Sequence, residues 1–328
     1  MTATMRAARI HGWGLPPTVE EVATPTPAVG ESLVRIEAAA VSHLDVTVAG
    51  GDFGIKPTLP YTGGVEGCGV VVESATMRRG TRVVLRSGGL GLVRDGTWAE
   101  FVTVKDKALT ELPAGLSAEL GSLFWVPTTT AHTALVEVGR LGAWLPDVAS
   151  ADEEHVVVAG AAGAVGSMVA QLAVRRGATV TALVADQDQA LRVVDGATVV
   201  VADDDRRLAE LAETRPASLL VDTLGGVDLI ARSRWVRPGG RAVSIGYVAG
   251  NDVSIGLSNW LLDDVALIPV NMIRREQEAR ALVPELAALL AAGDLTLDYE
   301  TFTLAETARA LDLLRAGKVR GRAVVLPE

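Results

Sequence analysis

The chain has 328 residues, a net charge of −10, 49% hydrophobic and 21% charged residues; two domains with a large core are the natural expectation, and disorder is not. The acidic balance disfavours a nucleic-acid surface, and the single cysteine, Cys68, excludes an intramolecular disulfide and a cysteine-rich zinc site. No apolar run reaches membrane-spanning length free of charges or glycine clusters, and the N-terminus lacks an apolar core of signal-peptide length, so a soluble cytoplasmic protein is expected.

The first 127 residues read as β-rich. Arg6–His11, Ser32–Ala39, Gly69–Ser74, Thr81–Leu85 and Ala99–Val104 are short valine-bearing runs suited to strands, separated by Gly/Pro turn clusters. A partly closed barrel is the expected architecture. Leu112-Pro113 reads as a connector, and Ser117 caps a helix over Ser117–Trp125.

From about Pro127 strands alternate with helices. His155–Ala159 is a buried strand, followed by Gly160, Gly163 and Gly166 at spacing three. Val165, Met168, Val169, Leu172 and Ala173 then share a helical stripe, Gly177 ends the helix, and Thr179–Val184 is a second strand. Thr198–Val201, Ser218–Asp222, Arg241–Ile245 and Ala266–Val270 continue the strands; Leu208–Glu213 and Leu229–Trp235 are helical, with Pro238-Gly-Gly240 a turn. This alternation predicts a doubly wound parallel sheet. Ala279–Ala292 and Thr303–Ala316 are apolar helices, and Arg322–Leu326 is a last strand. Asp203-Asp-Asp205 is a dense charge run read as a solvated turn.

The glycine-spaced turn carries chemistry. A helix N-terminus offers unpaired N–H groups and the positive end of a dipole, and glycine lets backbone approach a pyrophosphate. Strand, glycine turn, helix, strand is the context that dinucleotide binding requires. Gly160, Ala161, Gly163, Ala164, Val165 and Gly166 are its expected contacts, joined by Val184 at the second strand end and by Leu224, Gly225, Ile245 and Gly246 at the fourth and fifth.

The order of domains and several motifs together resemble the medium-chain dehydrogenase/reductase superfamily over essentially the whole chain. Gly160-Ala-Ala-Gly-Ala-Val-Gly166 is similar to the glycine turn of its quinone oxidoreductase branch, and Gly96-Thr-Trp-Ala-Glu-Phe101 to a strand motif of that family. Val221-Asp-Thr-Leu-Gly-Gly226 and Gly317–Leu326 resemble its fourth-strand turn and C-terminal signature. The resemblance implies an α/β fold: a GroES-like catalytic domain over 1–127 and 271–328, and a Rossmann domain over 128–270. It also implies a homodimer paired through the edge strand at Ala266–Val270.

Zinc members of that superfamily carry a Cys-His-x-Asp motif, a Gly-His-Glu motif and a third thiolate. Here Ser42-His43-Leu44-Asp45 and Gly64-Val65-Glu66 stand at the first two, and Trp125–Thr130 holds no cysteine. A hydroxyl and an isopropyl group cannot supply two zinc ligands, so no zinc is expected. Without a Lewis acid, the fitting redox chemistry is hydride delivery to a quinone or an α,β-unsaturated carbonyl, a small-molecule substrate whose oxygen needs hydrogen-bond donors.

The quinone oxidoreductase branch has Asn-x-x-Asp at Ser42–Asp45, so Asp45 matches and Ser42 departs. Ser42 retains a donor, Asp45 orients its neighbours, and His43 is either a second donor or a surface imidazole. Tyr61 matches a tyrosine of the family's pocket, as a proton donor or as a packed aromatic. Trp125, Thr128, Thr129 and His132 fall where the resemblance places the nicotinamide; Thr129 matches a position beside it, and His132 is either a pocket or a structural residue.

Val184-Ala185 lacks the acid that strict NAD enzymes place there. Asp186 and Asp188 would repel a 2′-phosphate, while Arg192 lies near where relatives keep a basic residue. The resemblance favours NADP(H), with NAD(H) left open. Three functions compete: an NADPH-dependent quinone or enone reductase, a pathway-specific enoyl reductase or tailoring enzyme with one bulky substrate, and a cofactor-binding non-catalytic protein.

Overall fold

The computed structural model describes residues 3–144 and 150–327 and divides into two compact units, residues 1–125 with 290–292 and 297–328, and residues 126–289 with 293–296. Among the described residues, no helix is long and apolar enough to cross a membrane.

In the first unit, β1 (Thr4–Ile10) pairs antiparallel with β2 (Thr18–Ala23). The long β3 (Glu31–Val41) is followed by helix α1 (His43–Gly50) and the two-residue β4 (Tyr61–Thr62), which pairs with β1. Then come β5 (Glu66–Glu73), β6 (Arg82–Arg86), β7 (Phe101–Lys105), β8 (Leu109–Glu111) and helix α2 (Ala118–Leu123). Strand β3 is central: it bonds to β5 and β7, and its Ala38–Val41 end is buried on both faces. The core gathers Val34, Ile36, Leu85, Trp98 and Val325, and the Trp98 indole N–H donates to Ala40 O at 2.9 Å. Cys68 lies under α2, and burial pushes its thiol up to about 12, so it stays protonated.

Helix α3 (Trp125–His132) leads through a π-helical stretch, Thr133–Val138, into the second unit. There β9 (His155–Ala159), α4 (Ala164–Arg175), β10 (Thr179–Val184), α5 (Gln187–Ala190), β11 (Ala197–Val201), α6 (Asp205–Thr214), β12 (Ala217–Asp222), α7 (Leu229–Ser233), β13 (Val236–Ser244), α8 (Leu257–Asp263) and β14 (Ala266–Pro269) follow in turn. All six strands are parallel, in the order β11-β10-β9-β12-β13-β14. The expected doubly wound sheet is present, and strand order reverses between β9 and β12. One buried ion pair ties this sheet. The Arg241 guanidinium on β13 binds the Glu154 carboxylate and donates to Gly139 O at 2.6 Å and Ser218 O at 2.9 Å, with both side chains fully buried.

Helix α9 (Glu276–Ala291) differs from the expected division, which sent the chain back to the first unit at residue 271. Residues 271–289 stay with the second unit. The physical reason lies on α4, where Gln171 exchanges hydrogen bonds with the Thr296 backbone and Arg175 pairs with Asp294 at 3.0 Å. Strand β15 (Tyr299–Thr303), helix α10 (Thr307–Arg315) and β16 (Arg322–Leu326) complete the first unit, with β16 parallel to β15 and antiparallel to β3. A reciprocal Thr303–Glu306 capping box starts the turn before α10.

The expected turn at Pro238-Gly-Gly240 is part of β13. A Cβ at Gly240 would stand 2.8 Å from Ser218 O, so bare backbone there lets β13 close on β12.

Candidate functional site

The glycine turn sits at the carboxyl end of β9, where the strand order reverses. Gly160 has φ +79°, and a Cβ on it would meet Thr223 Oγ1 at 2.4 Å. A Cβ on Gly166 would fall 2.1 Å from Gly160 O, so only glycine lets α4 close on the strand. The N–H groups of Gly160 and Ala161 donate to Leu183 O, which fixes the turn to β10. Gly163 supplies no side-chain cap, so the first N–H groups of α4, on Ala164, Val165 and Gly166, face outward with no capping side chain. A bare amino end on a twelve-residue helix, with glycine wherever a Cβ would intrude, fits a dinucleotide pyrophosphate.

The neighbouring loop is shaped by residues that sequence reasoning missed. Asp222 ends β12 fully buried; its Oδ1 accepts from Leu224 N at 2.9 Å and Gly225 N at 2.7 Å. Arg232 of α7 donates through Nε to Asp222 Oδ2 and through Nη2 to Gly225 O, both at 2.6 Å. Gly225 and Gly246 pack backbone to backbone with the adjoining loops, and Ile245 N donates to Asp222 O. Thus Gly160, Ala161, Gly163, Ala164, Val165, Gly166, Leu224, Gly225, Ile245 and Gly246 lie together at the carboxyl edge of the sheet. Val184 ends β10 beside them. Arg192 follows α5, which is a single turn that ends at Ala190.

Thr128, Thr129 and His132 lie on the buried α3. The His132 imidazole is pushed below its ordinary value by burial and next by the Arg176 charge, against Glu285 and Glu137. Arg176 follows the carboxyl end of α4, so His132 belongs with the end of that helix remote from the glycine turn. This favours its structural role over the pocket role. Trp125 opens α3 and is buried.

In the first unit, Ser42 and Asp45 form a capping box at the start of α1. Asp45 Oδ2 accepts from Ser42 N at 2.8 Å and Ser42 Oγ at 2.6 Å; Oδ1 accepts from Val65 N at 3.1 Å. Asp45 is buried, and that burial raises its carboxyl to about 6 against the lowering pull of the Ser42 bonds. Tyr61 is held on β4 opposite Ile10, 3% exposed, with the Trp13 ring centroid 6.2 Å away. Burial and then the Asp45 charge raise its phenol, so it remains a donor. His43 opens α1 on an exposed face; crowding by protein and the Arg322 charge hold its imidazole below the ordinary value.

Glu66 and Arg322, both absent from the expected set, form a buried pair at 3.0 Å. Glu66 Oε1 and Arg322 Nε have no hydrogen-bond partner among the described residues. Their signals were the Gly64-Val65-Glu66 motif and the C-terminal run that starts at Arg322.

The family described as "Alcohol dehydrogenase GroES-like domain" matches residues 28–114, and that described as "Zinc-binding dehydrogenase" matches residues 195–325. A zinc-type alcohol dehydrogenase-like protein of Schizosaccharomyces pombe is 33% identical over 208 residues, 63% of this chain and 58% of that protein. Human quinone oxidoreductase is 24% identical over 301 residues, 88% of this chain and 86% of its own. Among solved structures, a mycobacterial protein complexed with NADPH superposes with a TM-score of 0.84 at 22% identity, covering 98% of this chain and all of that one.

Zinc, named in one family description, does not fit the residues present. Ser42 Oγ is bonded to Asp45, Val65 has no ligand atom in its side chain, and Glu66 is tied to Arg322. Among the described residues, no group of three His, Cys, Asp or Glu side chains is placed to hold a metal.

Proposed function

This chain belongs to the medium-chain dehydrogenase/reductase superfamily, in its quinone oxidoreductase-like branch, and from that premise we propose that it is a zinc-independent, nicotinamide-dependent reductase of quinones or α,β-unsaturated carbonyls. One observation carries the reading: the position of a Lewis acid is filled by Ser42 and Val65, while the helix that receives a dinucleotide keeps its bare amino end. A bound reduced nicotinamide supplies a hydride. The chain's own residues bind and orient. The N–H groups at the start of α4 receive the pyrophosphate, and the Asp222–Arg232 pair fixes the loop beside it. Tyr61 carries the hydroxyl that meets charge developing on a carbonyl oxygen, while the Ser42 hydroxyl is donated to Asp45 and fixes that carboxyl. Thr129 is a further hydroxyl of the reading, brought by its match to the family.

The partner proposed is a second copy. Among the described residues, strand β14 bonds only to β13, and the adjacent α8 has no buried residue, leaving Leu257, Leu261 and Leu262 exposed. The test is turnover. Purified protein is expected to oxidise a reduced nicotinamide dinucleotide with a panel of quinones and enones, carry no stoichiometric zinc, and run at dimer mass in analytical ultracentrifugation. Tight cofactor binding with no acceptor reduced would select the non-catalytic reading. Stoichiometric zinc would overturn the ligand argument, and a monomer mass would remove the dimer.

A further inference from the structure

Beside Tyr61 two loops of the first unit meet: the turn at residues 12–15, between β1 and β2, and the stretch 51–58, which follows α1. Both are tied to that helix. Gly14 N donates to Ala49 O at 2.8 Å, and Asp52 N donates to Thr47 O at 3.1 Å. Gly51 ends α1 with φ +82°, and a Cβ on it would stand 3.0 Å from Trp13 Cγ, so the indole lies on bare backbone. A second ring adjoins it. The Trp13 and Tyr61 centroids are 6.2 Å apart with planes at 41°, which makes a corner rather than a stack. Trp13 is therefore fixed by its surroundings while staying half-buried.

The mouth of this corner is apolar, with one charge. Leu15 and Ile55 are exposed on the two loops, and Phe53 is partly buried. Lys56 reaches from the second loop to the first, with Nζ 5.7 Å from the centre of the Trp13 ring. Among the described residues, no carboxylate forms an ion pair with it. The chain as a whole carries a net charge of −10, so an uncompensated ammonium at an aromatic corner reverses the prevailing field locally.

We propose, on the reductase reading above, that Trp13 and Lys56 set the acceptor specificity, and that the preferred acceptor is a quinone fused to an aromatic ring and carrying an acidic group. In that reading the Tyr61 phenol meets the carbonyl oxygen, which brings the body of the acceptor within reach of the indole, 6.2 Å away ring to ring. A planar fused ring system buries an apolar face against Trp13, and a linear enone offers no such face. The acidic group meets the Lys56 ammonium and gains a charge-assisted hydrogen bond in place of a bond to water.

The experiment measures kcat/KM of the whole protein for naphthoquinone sulfonate, plain naphthoquinone and dimethylbenzoquinone, which lacks the fused ring. In the wild type the ratio of sulfonate to plain naphthoquinone should fall at least about threefold between about 0.02 M and about 0.5 M salt, the opposite of what a net-acidic surface alone does to an anion. Lys56→Gln should lower that ratio at low salt about threefold or more and remove its salt dependence. Trp13→Leu should cut the preference for naphthoquinone over dimethylbenzoquinone at least about fivefold, through KM rather than kcat, and Trp13→Phe, which keeps a ring on Gly51, should restore most of it. A charge ratio indifferent to salt and to Lys56→Gln, a ring preference indifferent to Trp13→Leu, or reduction of linear enones in preference to every quinone overturns the proposal while the reductase reading stands. Failure to reduce any acceptor overturns the reductase reading, and the proposal with it.

Discussion

Asp45 and Asp222 are a natural pair for comparison. Each is a buried aspartate that gathers backbone N–H groups and fixes a loop. Asp222 faces a guanidinium at 2.6 Å, whereas Asp45 faces a serine hydroxyl and two N–H groups, with no cation in hydrogen-bonding contact among the described residues. The second unit repeats its solution with Glu154 and Arg241. Its buried charges are balanced within a rigid socket. The first unit leaves one carboxyl to titrate close to neutrality, inside the cluster proposed to meet the substrate. Binding wants a fixed shape, and proton traffic wants a group that can change state.

The most forceful way to break the comparison is to remove a guanidinium. Arg241→Met leaves Glu154 buried without its partner, and an equilibrium urea titration should record a loss of about 3–5 kcal/mol; a much smaller loss would mean that water reaches the site.

Asp45→Asn sharpens the contrast through pH. The folded protein holds the Asp45 proton more tightly than the unfolded chain, whose carboxyl titrates near 3.8. The folded state therefore binds more protons in this window, and stability falls as pH rises through it, between roughly pH 4 and 6. The asparagine variant lacks that decline. Its stability relative to wild type should improve by on the order of 3 kcal/mol between pH 4 and pH 7, read from urea midpoints at each pH, and parallel curves would refute the assignment.

Ser42→Ala is the mildest change. It removes the α1 cap and one bond to Asp45, with an expected cost of about 1 kcal/mol and a drop in thermal midpoint. A cost near zero would mean that Asp45 is held by the two N–H groups alone.

The sequence made the apolar skeleton legible. β9, β10 and β12 are runs whose burial follows from valine and leucine, and Gly160 and Gly166 stand where a Cβ would collide. Elements without an apolar face were not legible. Thr18–Ala23 alternates in and out of glutamate on an exposed edge, and α5 and α8 contain no buried residue. Helix α1 was hidden because Ser42–Asp45 reads as a site motif, yet the same side chains also cap a helix. The candidate site divides likewise. Its glycines are local, and local spacing found them. Asp222–Arg232 and Glu66–Arg322 depend on partners that only the fold brings together, the latter across 256 positions.

The Arg241 tie has a consequence for motion. Its guanidinium joins the approach to β9, strand β12 and the end of the π-helical stretch. Lifting β13 from its neighbours breaks bonds in three separate segments at once, so these strands have no cheap partial opening. Their amide protons should exchange with solvent on one slow clock, set by opening of the whole sheet. Helices α5 and α8, with no buried residue to anchor them, keep faster clocks of their own.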